Sequence, residues 1–115
     1  MSGKLFAVCG QASPVCEPVA ADRLIEGAPM TETRIDYEQG GVLYAGEWRA
    51  DVGAWRVAYD EWEFCHVLEG ECELIPDNEA PRRFRAGDSF VIEPGFTGVW
   101  CVLAPMRKRF VVRYA

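Results

Sequence analysis

The stretch Tyr59-Asp60-Glu61-Trp62-Glu63-Phe64-Cys65-His66-Val67-Leu68-Glu69-Gly70-Glu71-Cys72-Glu73-Leu74 decides the fold. Aromatic and apolar residues crowd Trp62 to Leu68, which is the composition of a strand. Glu69-Gly70 supplies a two-residue turn, with Gly70 free to take positive φ. The stretch therefore reads as a β-hairpin in which Leu68 faces Glu71 and Val67 faces Cys72. Alternation sets Glu63, Cys65, Val67, Cys72 and Leu74 on one face and Trp62, Phe64, His66 and Leu68 on the other. Both faces are apolar, so both are expected to be covered. Glu63 is the exception. A carboxylate on an apolar face is expensive to bury unless a cation, a metal or a ring of donors meets it.

Outward from this hairpin the chain is a run of short strands and turns, the spacing of an all-β sandwich or barrel. Val42 to Ala50 forms one strand, and Ala54 to Tyr59 a second, with Trp55, Val57 and Tyr59 on one face. Pro76 to Pro81 closes the hairpin, and Arg82 to Arg85 is a short basic strand. Ala86-Gly87-Asp88 and Glu93-Pro94-Gly95 are turns on either side of Ser89 to Ile92. Gly98 to Leu103 and Met106 to Tyr114 complete the sheet. Lys108, Phe110, Val112 and Tyr114 share a face in the last of these. Residues 1–30 carry three prolines and no period, so an irregular amino-terminal arm is expected before a β-barrel domain over 31–115. Asp22 to Glu26 has room for one helical turn.

Composition narrows the function. The chain of 115 residues is half apolar, enough for one globular domain. A net charge of −6 argues against nucleic acid as a partner, which would need a basic surface. No apolar run approaches the roughly 20 residues that span a bilayer, so no membrane partner is expected either. Lys4 and the apolar Leu5 to Cys9 are too short a run for a secretion signal, and a cytoplasmic location is the expectation. The five cysteines include no Cys-x-x-Cys pair and read as reduced thiols. The apolar outward face of Trp62, Phe64 and Leu68 suggests a homodimer.

Two groups of residues carry a family resemblance. Glu63, six residues, then Gly70 fits the end of the first cupin motif, G-x5-H-x-H-x3,4-E-x6-G. Gly87 and Pro94-Gly95, within AGDSFVIEPGF (86–96), fit the second, G-x5-P-x-G-x2-H-x3-N. With GEW (46–48), GVW (98–100) and RKRFVVRY (107–114), residues 24 to 114 resemble small single-domain cupins. The particular resemblance is to the cupin domain of ureidoglycine aminohydrolase and of ethanolamine-utilisation proteins. It implies a cupin-type jelly-roll antiparallel β-barrel. It also implies metal-ligand positions, and these are largely lost. The histidine pair falls on Val57 and Tyr59, or on Arg56 and Ala58. Glu93 takes the proline position, Gly98 the second motif's histidine and Val102 its asparagine. Only Glu63 remains, and one carboxylate does not hold a transition metal. No metal or other cofactor is expected.

The site residues follow from Glu63. Lys108, on an inward face, is the best cation for it, and Tyr59 a donor four residues upstream. Trp55, Tyr59 and Trp100 either line a pocket or fill the barrel. Cys65 stands next to Glu63 on the same face, where it is a ligand contact, a nucleophile paired with a base, or a buried thiol, and the demand of thiolate activation for nearby positive charge favours the last. His66, the only histidine, faces away from Glu63 and reads as structural. The expected function is that of a degenerate cupin binding a small polar ligand of the carboxylate-and-amine or ureido-like kind. The resemblance also leaves open an enzyme of nitrogen or ureide metabolism.

Overall fold

A computed structural model describes residues 3–114; residues 1–2 and 115, the ends of the two expected segments, lie outside it. The described residues form nine strands and no helix: β1 (Val15–Pro18), β2 (Leu24–Glu26), β3 (Met30–Gln39), β4 (Leu43–Ala50), β5 (Gly53–Ala58), β6 (Trp62–Pro76), β7 (Arg82–Arg85), β8 (Ser89–Ile92) and β9 (Thr97–Arg113). All pairings are antiparallel. The fold is the all-β cupin jelly roll.

Two long strands organise it. β6 and β9 pair with each other from Trp62↔Arg113 to Pro76↔Gly98, and the register shifts between Val67 and Cys72. Residues 63–66 of β6 also pair β8, and 71–74 pair β7. The late half of β9 also pairs β4, and the early half β5. Folding at the irregularity makes two leaves. The front leaf holds β1, β3, β4, late β9, early β6 and β8. The back leaf holds β2, β5, early β9, late β6 and β7. Contacts across the gap show that the leaves face each other. Trp48 on β4 meets Trp100 on early β9 at 5.5 Å between ring centroids. At the other side Phe84 of β7 stacks on Phe90 of β8 at 4.2 Å. The core of Trp55, Cys65, Val67, Cys72, Leu74, Trp100, Val102 and Met106 fills the space between.

The expected hairpin is corrected by this geometry. Gly70 is not in a turn but inside the single strand β6, at positive φ (83°). A Cβ there would lie 2.2 Å from the Pro105 carbonyl oxygen, so only glycine lets the two long strands touch at their bend. The inward set Glu63, Cys65, Val67, Cys72 and Leu74 is nevertheless buried as expected. A bulge exchanges the faces of the flanking segments just as a two-residue turn does. The final two strands are likewise one, with Pro105 at its irregular middle, where no ladder N–H is needed.

The amino-terminal region is also more ordered than expected. Leu24–Glu26 is a strand on the edge of β5 rather than a helical turn, and β1 pairs the edge of β3. The first long strand begins at Met30, not Val42; charged residues alternating with Thr31, Thr33 and Ile35 hid it. Upstream of β1 the chain crosses the outer surface as a strap. A bulge between Ile35 and Tyr37 frees Asp36, whose carboxylate accepts N–H bonds from Gly10 (2.8 Å), Gln11 (3.1 Å) and Ala12 (3.0 Å). Desolvation opposes ionisation of Asp36, but these backbone donors outweigh it and hold its carboxyl below the usual range. Trp62, Phe64 and Leu68, the face expected to drive a homodimer, are half-buried rather than open. His66 faces outward and bonds Ser89 Oγ through Nδ1 at 2.7 Å. No helix among the described residues is long and apolar enough to cross a membrane.

Candidate functional site

Glu63 lies on β6 between Val112 of β9 and Ile92 of β8; Lys108 lies on β9 between Val67 and Trp48. Both side chains point into the gap between the leaves. Lys108 Nζ donates to Glu63 Oε2 at 2.8 Å and reaches Cys65 Sγ at 3.3 Å. The ammonium sits 4.7 Å from the ring centre of Trp48 and 4.4 Å from that of Trp100. A carboxylate and two aromatic faces thus replace its hydration shell, the arrangement in which a desolvated cation gains most from ring quadrupoles. Lys108 is 3% exposed and Glu63 5% exposed. Burial works against the charge on Lys108, but Cys65 and Glu63 outweigh it and the pKa is raised. At neutral pH Cys65 is a thiol, so the Glu63 carboxylate is the charged partner that matters.

Tyr59 completes the floor from the end of β5. Burial raises its phenol well above the ordinary value, and the neighbouring charge of Glu63 raises it further. It is a neutral donor throughout the physiological range. Above this floor is a cavity of about 400 Å³, walled by Trp48, Trp55, Trp100 and Phe110, within the usual size of small-molecule sites. One rim is formed by Glu17, Pro18, Val19, Ala20 and Arg23, and Glu61 joins it.

The structure therefore brings Glu63, Lys108, Tyr59, Trp55 and Trp100 to one cavity. Cys65 does not line it, and its hydrogen bond to the site is the one from Lys108. Its thiol is pushed up to about 12, by burial first, with Lys108 pulling the other way and losing. Cys72 is pushed up to about 11, again chiefly by burial. Neither is an activated nucleophile. Native protein at pH 8 is expected to react with iodoacetamide at the exposed Cys9 and Cys16, while Cys65 and Cys72 remain unmodified until it is denatured. Peptide mapping checks this; early alkylation of Cys65 would contradict its burial. Sequence reasoning missed Trp48 and the rim. Trp48 was legible in principle, since it alternates with Tyr44 and Gly46 on β4. The rim residues follow no pattern that marks them.

The metal positions implied by the cupin resemblance do not fit an ion. Val57 and Gly98 face each other on β5 and β9 and offer no side-chain donor. Glu63 is already met by an ammonium at 2.8 Å, whose positive charge would repel a metal. Among the described residues no three His, Cys, Asp or Glu side chains converge.

The chain matches no curated protein sequence. Among solved structures it is similar to a DUF861-family protein from Pseudomonas syringae pv. tomato, at 18% identity and a TM-score of 0.81, over 91% of this chain and 46% of that one. The Clostridium difficile EutQ protein aligns at 17% identity and a TM-score of 0.67, over 76% of this chain and 64% of that one. The chain thus spans less than two thirds of either protein, and at these identities the likeness shows the fold alone. A DUF861-family protein from Thermotoga maritima is 30% identical, with a TM-score of 0.54, over 56% of this chain and 73% of that one. The EutQ-like cupin domain matches residues 37–110, which is most of the barrel, and the chain belongs to that cupin family.

Proposed function

We propose that the protein is a binding module for a small polar ligand of the carboxylate-and-amine or ureido-like kind, held in the aromatic cavity by Glu63, Lys108 and Tyr59. The observation that carries this reading is the ion pair at the cavity floor, with Lys108 donating to Glu63 at 2.8 Å beneath walls of tryptophan. A purely apolar filling would have avoided the cost of burying two charges. The floor is neutral as a pair. A zwitterion can exchange partners with this pair, its carboxylate turning to Lys108 and its ammonium to Glu63, and an amide or ureido group meets both at once. Its carbonyl accepts from Lys108 and its N–H donates to Glu63, while its flat face lies on indole. The free thiols fit a reducing compartment such as the cytoplasm.

Thermal unfolding with short amides, ureas and amino acids tests this. A ligand at a hundred times its Kd is expected to stabilise the native protein by about 2.7 kcal/mol. Glu63→Gln keeps an acceptor for Lys108 and so keeps the fold at a lower melting temperature, but loses the ligand's shift. Failure of every compound to stabilise the native protein, or an equal response from the variant, would reject the reading.

A further inference from the structure

We infer that residues 3–18 are a movable cover for one side of the cavity, latched by Asp36 and hinged at Pro18–Val19. The strap is held mostly by polar contacts. Asp36 gathers the N–H groups of Gly10, Gln11 and Ala12, Arg34 donates to the Ala12 carbonyl at 2.9 Å, and Arg109 donates to the Val8 carbonyl. All four residues of β1 are exposed, and β1 pairs with β3 along one edge only. Segments with few buried apolar groups and solvent-exposed backbone bonds are those that open locally, well before the whole domain unfolds.

The hinge is fixed where the strap ends. Val19 is buried, and its N–H reaches the Pro29 carbonyl at 3.3 Å. The Arg23 carbonyl accepts from Arg56 N–H at 2.9 Å, and Leu24 is paired to Trp55. Residues from Val19 onward are therefore anchored, while Glu17 and Pro18, which form part of the cavity rim, belong to the detachable segment. Lifting β1 also bares Thr31 and Thr33, the cavity-lining residues of β3 to which it is paired. The latch thus lies on the outer surface and the opening it controls lies between the leaves. Entry to the cavity is governed by a carboxylate that does not line it.

Asp36→Ala removes the acceptor of all three strap amides. Gly10→Ala reaches the same end by a different route, because Gly10 has φ +74° and a Cβ there would meet Glu47 Oε2 at 2.6 Å. Both variants are to be compared with the native chain by amide hydrogen exchange and by solvent exchange of the tryptophan indole N–H groups in NMR spectra. Amides of residues 10–17 are expected to exchange about tenfold faster or more on losing this charge-assisted set of bonds. The indoles of Trp48 and Trp55 should quicken with them, while that of Trp62, on the outer face, should not. Core amides of β6 and β9 should stay as slow as in the native chain, which separates strap release from general destabilisation. Unchanged exchange over residues 10–17 would remove Asp36 as the latch. Faster strap exchange with unchanged Trp48 and Trp55 would show that the strap covers nothing. No ligand enters the experiment, so its outcome is independent of whether the cavity binds a small amide.

Discussion

Replacing Lys108 by Met is expected to lower the stability of the domain by about 3–5 kcal/mol, because Glu63 is left buried without its cation. That is a large share of the roughly 5–15 kcal/mol that holds a domain together, and the melting temperature should fall by more than about 10 °C. The loss comes from the orphaned carboxylate more than from the missing contact. The double variant Lys108→Met/Glu63→Leu, which removes both charges, should therefore recover most of the stability, and replacements of this kind can exceed the original by about 1–4 kcal/mol. Denaturant titration of the two single variants and the double variant closes the cycle. A Lys108→Met protein as stable as the native chain would mean that the pair contributes nothing. The double variant should remain unable to respond to amides, which separates the pair's part in folding from its part in binding.

Gly70→Ala should be comparably severe, at about 3 kcal/mol or more. It combines a left-handed backbone conformation, worth about 1–2 kcal/mol against alanine, with a Cβ 2.2 Å from the Pro105 carbonyl oxygen. The obstacle is backbone, so no side chain can swing aside, and the two long strands must separate at their bend. Gly87→Ala is the control. Gly87 has a similar positive φ (95°), but a Cβ added there would meet nothing within 4 Å, so it should show only the conformational cost. Equal melting temperatures for the two variants would show that the close approach of β6 and β9 carries no energetic weight.

Much of the fold was legible because alternation is a strong signal. Strands β4, β5, β7 and β8, the two halves of β6 and the inward face of Glu63, Cys65, Val67, Cys72 and Leu74 could be read from residue order alone. The connection at Gly70 could not. A bulge and a tight turn both place a glycine at positive φ and both exchange faces; they differ in which distant strand pairs alongside. β3 was obscured because its polar residues suit an edge-proximal strand with a charged outer surface. In the site, Glu63 could be found as a carboxylate on an apolar face and Lys108 as the only inward cation of the last strand. Trp48 comes to the site because β4 pairs with the late half of β9 and sets it beside Lys108, and the rim comes from a segment with no period. Residue order gives no measure of either approach.

The shared spine of β6 and β9 bears on how the chain reaches its native state. Each leaf contains one half of both strands, so neither leaf is closed by contacts local in sequence. The pairings that join them run from Pro76↔Gly98 to Trp62↔Arg113, separations of 98 − 76 = 22 and 113 − 62 = 51 residues. The loop entropy of those long closures is spent before most of the core is in place, which puts the chain among the slower-folding topologies. Neither half can serve as a preformed template for the other. Until the segment around Lys108 has been synthesised and paired, early β6 has no long neighbour, and Glu63 has no cation to meet.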